Sequence, residues 1–495
     1  MSFTTKKNDL IFIFFFLLIL LFKNNLIHFL EPFVTPLLSF YSRNIPFEKA
    51  AYTGLNFLLL YSLSIWIIYK FRNKFHDCVK QLLYDFSAPI NLSIFRILTF
   101  TLAFTFFDFN HLISLVSLPR DSLVPPMGMG FILNFLPPNE KVIWALSILF
   151  VPSTILSILG FKTRISTLVS TLSAIYLLGI PNFYGKVNHY NYQIWFMMIL
   201  TISPCSDAIS LDSLLSKTKN TISKNFNYSI PVLAIWFVFG MMYFFPGAWK
   251  ICYSGIEWFT SENLRYTLIE KYLESGFTPF FQIEIYPMVY KATGLFTILF
   301  EIIFIFLIFI PKWRLISILM AASFHIGVYF QMGINFLELL PYFIIFINWG
   351  RLFKGSKITI TEDKILFRKP IIILLTTIFV FGSLGIVHGW PFSCYPAFAT
   401  IKTNIHTSVE VTKVMDEREA KLQLENVKKK IGPERLWVLM DSRNKNFKHN
   451  LSKLELLIRD LYHIKNEEIR FYLVKKDLTN YPQVKEISRE KILFF

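Results

Sequence analysis

A chain of 495 residues that is 54% hydrophobic and 18% aromatic, with a mean hydropathy of +0.48, is too apolar for a soluble fold, whose surface must stay polar. Its net charge of +17 would suggest nucleic acid as partner of a soluble protein, but here Lys and Arg fall mainly in short links between apolar runs, where they meet lipid headgroups. Composition therefore excludes a nucleic-acid partner, makes the lipid bilayer the first partner, and, with four cysteines (Cys78, Cys205, Cys252, Cys394) lacking CxxC spacing, supports no metal site.

A hydrocarbon core of roughly 30 Å needs about 20 apolar residues per helix. By that measure the sequence predicts an all-α polytopic membrane protein of about 11 transmembrane helices, near 10–30, 51–70, 92–116, 142–160, 165–182, 189–204, 230–247, 292–310, 315–333, 335–349 and 371–388. The first follows Lys6 and Lys7 and could pass for a signal peptide; lacking a small-residue cleavage site, it is read as an uncleaved anchor. The first helices occupy 1–90, a central transmembrane domain 91–350, and a cytoplasmic hairpin ("GSKITITEDKILFRK") with the last span 351–389.

After "WPFSCYPAF" (390–398) the texture becomes charged, and residues 390–495 read as a small extracytoplasmic α+β domain. Its pattern is strand (SVEVTKVM), helix (EREAKLQLENVKKKIG), strand (RLWVLM), helix (LSKLELLIRDLYHI), strand (EIRFYLV). With a cytoplasmic N-terminus the inner segments carry 19 Lys and Arg against 9 in the outer links, leaving out the C-terminal domain. The positive-inside rule favours that orientation: a multi-pass protein of the cell membrane, with Lys250, the loop around His189 and the C-terminal domain outside. Cys252 and Cys394 then share the oxidising side, where a disulfide between them is open, whereas Cys78 and Cys205 face the cytoplasm and stay reduced.

Polar groups at membrane depth or at span ends are costly and hence informative. The candidates are Arg96, Asp108, Asn110, His111, Arg120, Arg164, Asn188, His189, Lys250, Glu257, Glu301, His325 and Glu338. Most have an ordinary reading. Arg164 is a cytoplasmic anchor, Asn188 and His189 are turn residues at a helix entry, and His325 and Glu301 satisfy each other or a backbone carbonyl. Lys250, closing "YFFPGAWK", is by itself first an interfacial anchor with its ammonium among headgroups, and second a base.

Five segments in order carry a resemblance: "NLSIFRILTFTLAF" (91–104), "FILNFLPPNEKVIWALSILFVPSTILSILGFKTRIS" (131–166), "NHYNYQIWFMMILTISPCSDAISLDSLL" (188–215), "YFFPGAWKICYSGIEWF" (243–259) and "FHIGVYFQMGINF" (324–336). Together they resemble the vitamin K-dependent γ-carboxylase-like group, also called the horizontally transferred transmembrane (HTTM) domain, over roughly residues 90 to 350. The resemblance implies a helical membrane domain whose active site faces the lumen or periplasm. It places Lys250 on the lysine thought to deprotonate vitamin K hydroquinone, His189 on an active-site histidine, and His325 on an "FH" motif deeper in the bundle. Glu301, Asn188, Trp249 and Tyr253 complete the expected quinol-binding set.

The implied cofactor is a reduced quinone, vitamin K hydroquinone or menaquinol-like, with O2 and CO2 as co-substrates. In that scheme the quinol anion reacts with oxygen to give a strong base, a glutamate γ-proton is removed, carbon dioxide adds, and the quinol leaves as its epoxide. The physical logic agrees, because a lysine in a dry aromatic pocket is driven toward the neutral amine a base requires.

Two departures matter. Trp249 stands where the carboxylases place a second lysine, and the tail is only about a hundred residues, against a much larger propeptide-gripping domain in the animal enzymes. The substrate is therefore a peptide or protein, or another molecule altogether. Relatives of this type include proteins implicated in maturing secreted peptide toxins, so a non-enzymatic membrane protein for maturation or export of a secreted peptide is the alternative. The paired half-chain repeats and broken helices of a transporter are not found. The local expectation is that the helix ends at Pro246-Gly247, that "ICYSGIEWFTSENL" folds back as an interfacial segment, and that Lys250 points into the bundle.

Overall fold

The computed structural model describes residues 47–184, 187, 190–216, 226–276, 279–353, 368–386, 389–393, 398–415, 418–442 and 446–494, together with Phe12 and Phe16. Apart from Phe12 and Phe16 the expected first span, and with it residues 354–367 of the hairpin, Asn188, His189 and Cys394, lies outside these residues. The membrane part runs α1 (Phe47–Lys70), α2 (Arg72–Asp85), α3 (Ile90–Thr105), α4 (Phe109–Val116), α5 (Glu140–Leu159), α6 (Thr163–Leu177), α7 (Asn191–Thr201), α8 (Phe226–Ser254), α9 (Asn263–Ser275), α10 (Pro287–Leu307), α11 (Pro311–Met332), a 3-10 helix (Leu337–Phe346) and α12 (Arg368–Leu384).

Among the described residues six helices are long and apolar enough to cross a membrane, or seven if α2 and α3, bent by 79° at their junction, count as one span. The expected count of 11 is not reached there, for identifiable reasons. The helix expected at 92–116 breaks before Asp108, whose side chain accepts a hydrogen bond from the His111 amide at 3.0 Å and N-caps α4. The span expected at 189–204 is the 11-residue α7, which rises only about 16 Å. It is enclosed by other helices along nearly its whole length, so it need not match the bilayer. The segment expected at 335–349 is a 10-residue 3-10 helix.

Helix α8 packs against α1, α2, α10 and α12. It does not end at Pro246-Gly247 but continues for two further turns to Ser254. Proline costs one backbone hydrogen bond, which a helix enclosed by others survives. The glycine serves the neighbour: a Cβ at Gly247 would lie 2.7 Å from Glu301 Cβ and 3.0 Å from Ile302 Cγ1, and one at Gly240 would collide with Ile305. Spaced seven apart, the two glycines share a face and let α10 approach α8 closely, the small-residue device of membrane helices. The chain then turns at Gly255, φ +67°, through a short helical segment at Glu257–Thr260 into α9.

The C-terminal unit consists of β1 (Ile405–Met415), β2 (Arg418–Lys421), α13 (Glu425–Ile431), α14 (Pro433–Leu439), α15 (Phe447–Tyr462), β3 (Glu468–Asp477) and β4 (Lys485–Phe494). Its antiparallel sheet has the order β2-β1-β3-β4, with Val409 opposite Leu473 and Val411 opposite Phe471. Helix α15 buries Leu451, Leu454, Leu457 and Ile458, spaced for one face. The expected strand "RLWVLM" is instead α14, since a short apolar run is ambiguous and Pro433 opens a helix more readily than it enters a sheet. The start of the expected helix at 417–432 is the hairpin strand β2, and β4 was not foreseen because its charges mask the alternation.

This unit rests on one end of the bundle. Arg435 donates to Asn182 Oδ1 at 3.2 Å, Arg265 to the Thr479 carbonyl at 2.9 Å, and Lys402 pairs with Glu270.

Candidate active site

A cavity of about 300 Å³ opens among α7, α8, α9, α10 and α11, under the connection that leads from α12 to β1. Helix α8 supplies Tyr243 and Lys250, α10 supplies Glu301, and α11 supplies His325. Leu264, Thr267 and Leu268 of α9 close one side. The rest of the wall is largely apolar or aromatic, including Trp195, Trp258, Phe324 and Phe336.

Lys250 is 3% exposed, and its Nζ donates to Glu301 Oε1 at 2.7 Å and Oε2 at 2.6 Å. It also lies 5.3 Å from the centroid of the Trp258 ring. An ammonium buried alone would cost many kcal/mol, so a counter-charge in hydrogen-bonding contact is what permits it here. The glycine contact at Gly247 brings Glu301 close enough to serve. Lys250 thus points into the bundle, as its sequence context suggested, although the helix carries on past it.

The expected partnership of His325 with Glu301 does not form, because Glu301 is taken by Lys250. His325 Nε2 instead lies 2.5 Å from Tyr243 Oη, and its Nδ1 is buried with no partner among the described residues. Trp249 and Tyr253 lie off the cavity. A residue next to Lys250 is turned by about 100°, which carries Trp249 off its face; Tyr253 is turned by only about 60° but stands about 4.5 Å further along the axis. Trp249 donates to the Gly382 carbonyl at 2.9 Å and packs on Phe57 of α1; the Tyr253 ring sits under Lys49, 4.7 Å from its Nζ. Asn188 and His189 fall outside the described residues, while Tyr190 and Asn191, next in sequence, line the cavity.

Sequence reasoning missed Tyr243, Asn191, Ser393 and Phe398. Tyr243 was legible in principle, standing seven residues before Lys250 and hence on the same helical face. The others depend on the described parts of the connection after α12, 389–393 and 398–404, which accept hydrogen bonds from side chains of the helices. Trp195 Nε1 donates to the Pro391 carbonyl at 2.9 Å, Asn191 Nδ2 to Ser393 Oγ at 2.8 Å, Trp258 Nε1 to the Phe398 carbonyl at 2.6 Å, and Ser254 Oγ to the Ala399 carbonyl at 2.5 Å.

Arg96 belongs to a different place, the other end of α7. Fully buried, it donates to the carbonyls of Cys205 at 2.8 Å and Ile209 at 2.7 Å, and so braces the turn after α7. Nearby Asp212 caps α6 by accepting from the amides of Lys162 and Thr163, each at 2.8 Å. Among the described residues no group of three or more His, Cys, Asp and Glu side chains is placed to hold a metal ion.

Comparison with known families matches the HTTM domain to residues 84–350, which contain Tyr243, Lys250, Glu301 and His325. Neither the curated proteins nor the solved structures give a match. The matched segment is more than half of the chain, and on that ground the chain belongs to the HTTM domain family.

Proposed function

We propose that this membrane protein is an enzyme resembling the vitamin K-dependent γ-carboxylases, in which Lys250 is the base acting on a reduced quinone in the cavity. The observation that carries the reading is a buried lysine side chain held by the Glu301 carboxylate in a chamber walled largely by apolar and aromatic residues. The chamber suits the ligand: about 300 Å³ of largely apolar, aromatic-walled space is at the lower end of small-molecule sites and takes a one- or two-ring headgroup. A reduced quinone, vitamin K hydroquinone or menaquinol-like, supplies when bound an acidic ring hydroxyl and electrons for O2, with CO2 consumed if the outcome is carboxylation.

The chain's own part is proton handling. A proton passing from Lys250 Nζ to Glu301 along a hydrogen bond of 2.6–2.7 Å leaves a neutral amine without changing the charge of the cavity. That amine then accepts the proton of the ring hydroxyl, and the Trp258 ring face favours the ammonium so formed. Ser393, Phe398 and the α9 residues Leu264, Thr267 and Leu268 line the cavity beside this pair, and exclusion of water from such a site strengthens its electrostatic interactions. The site and the C-terminal unit lie together, and the excess of Lys and Arg in the segments read as inner supports an extracytoplasmic position for both.

The test is activity of the purified protein, read as quinol-dependent oxygen uptake and incorporation of labelled carbon dioxide. Lys250→Ala and Lys250→Arg should each lose about 10²-fold or more, because arginine cannot offer a neutral base. An arginine variant as active as the native chain would remove the base from the mechanism and return Lys250 to the role of an anchor.

A further inference from the structure

Two connections at the end of the bundle that carries the C-terminal unit are almost free of charge. Residues 122–139, between α4 and α5, contain no Asp, Glu, Lys or Arg, and residues 279–289, between α9 and α10, contain only Glu284. That one carboxylate is withdrawn: Glu284 is buried and accepts from Tyr272 Oη at 3.1 Å. What the two connections turn outward is apolar. Phe131 and Phe135, on a short helix at Gly130–Phe135, are 73% and 75% exposed, Met288 is 83% exposed, and Phe280 is fully exposed. A single exposed aromatic side chain is ordinary on any surface, but clusters of them in segments without an exposed charge mark a surface that meets something other than water.

The neighbouring helices say what that is. From Met288 the exposed residues of α10 continue as Leu295, Leu299 and Ile303, spaced to keep to one face, so the apolar surface of the connection runs into the side of a spanning helix that hydrocarbon must cover. Lys291, partly buried, stands at the edge of that face, where an ammonium reaches the headgroups along its apolar stem. The other connection is followed by Glu140 and Lys141 at the head of α5 and then by exposed Trp144 and Ile148, the same succession of charge and apolar face. A patch meant for a protein would be closed by a polar rim, whereas that of Met288 passes without one into the lipid-facing side of α10.

We infer that both connections are shallow membrane inserts, with Phe131 and Phe135 of one and Phe280 and Met288 of the other lying where headgroups meet acyl chains, and that together they seat the C-terminal unit on the bilayer. This does not depend on the quinol reading. Each insert is tied to the unit it seats. Lys453 of α15 donates to the Leu123 carbonyl in the first, and Ile283 of the second packs in one cluster with Tyr272 and, from the C-terminal unit, Tyr481. Ile283 also lines the cavity, and Gln331 of α11 donates to the Phe281 carbonyl at 3.0 Å, so the second insert is braced between lipid on one side and the cavity wall on the other.

The experiment reads depth in the membrane. Full-length protein carrying Cys78→Ser and Cys394→Ser, with Cys205 and Cys252 left in place because they are buried, receives one new cysteine: Phe280→Cys, Phe135→Cys or, as a water-facing reference on β4, Ser488→Cys. Phe280 and Phe135 are exposed, so replacing them removes little packing. Each is labelled with a nitrobenzoxadiazole fluorophore in phosphatidylcholine nanodiscs and quenched either by lipid bearing a nitroxide near the top of its acyl chain or by iodide in the buffer. The nitroxide lipid should quench positions 280 and 135 at least about threefold more than position 488, and iodide should show the reverse order. If iodide reaches 280 and 135 as well as it reaches 488, the connections stand in water and the inference is overturned. If neither quencher reaches them, a protein surface covers them, a second copy or another partner, and it is equally overturned. Insertion of one connection without the other would remove the shared seat.

Discussion

Gly247→Ala adds one methyl group where α8 and α10 come closest. That methyl would lie 2.7 Å from Glu301 Cβ, 3.0 Å from Ile302 Cγ1 and 3.2 Å from the Ile302 backbone nitrogen. Carbon atoms rest about 3.5–4.0 Å apart, so α10 must withdraw by roughly 1 Å. None of the three atoms is the far end of a flexible side chain, so no rotamer change relieves the contact. Helix propensity alone would make the substitution favourable by about 1 kcal/mol. Overpacking opposes it by about 1–3 kcal/mol.

The two effects separate by comparison with Gly54→Ala in α1, where an added Cβ meets nothing within 4 Å. Both variants gain the same propensity, and only one meets a neighbouring helix. The Gly247 variant should therefore be about 1–3 kcal/mol less stable than the Gly54 variant, with a lower thermal-unfolding midpoint in nanodiscs. The same withdrawal would stretch the contacts of Lys250 to Glu301 from 2.6–2.7 Å to about 3.6 Å, outside hydrogen-bond range. Quinone-dependent activity should fall along with stability. Equal midpoints for the two variants would refute the idea that this glycine sets the distance between Lys250 and its counter-charge.

Three further outcomes are expected. Glu301→Gln strands the Lys250 ammonium and should cost about 3–5 kcal/mol, whereas Lys250→Met combined with Glu301→Leu should cost far less than the two single changes together; strictly additive losses in a denaturant titration would contradict a coupled pair. Burial alone would raise the Glu410 carboxyl, but hydrogen bonds from Lys421 and Lys476 hold it down to about 2. Its stabilisation of β1 is then complete above about pH 4.5 and is lost as pH falls through 2, so amide protection of β1 and β3 should decline across that window and Glu410→Gln should flatten the decline. A cysteine introduced as Ser408→Cys should react with an impermeant maleimide on intact cells; labelling only after permeabilisation would reverse the proposed orientation.

Much of the fold is a matter of run length, which is written locally. The apolar stretches that became α1, α5, α6, α8, α10 and α11 were visible because crossing a hydrocarbon layer requires consecutive apolar residues whatever surrounds them. Helix ends were less so. Pro246-Gly247 reads as a stop in any isolated helix, and only the presence of α10 against the missing Cβ turns it into a packing contact inside one. Lys250 could be named from the sequence as a costly group near an aromatic cluster, because burial of charge is informative wherever it occurs. Its partner could not. Glu301 is 51 residues away and His325 is 82 residues from Tyr243, and no local pattern says which of several buried polar groups will meet. Read alone, the sequence offered His325 and Glu301 each other or a backbone carbonyl as partners, and neither is what forms. Three-dimensional packing decided otherwise because the ammonium, as the group most costly to leave without a counter-charge, takes the carboxylate that the glycine face brings within reach, and the histidine is left to a tyrosine two turns back along α8.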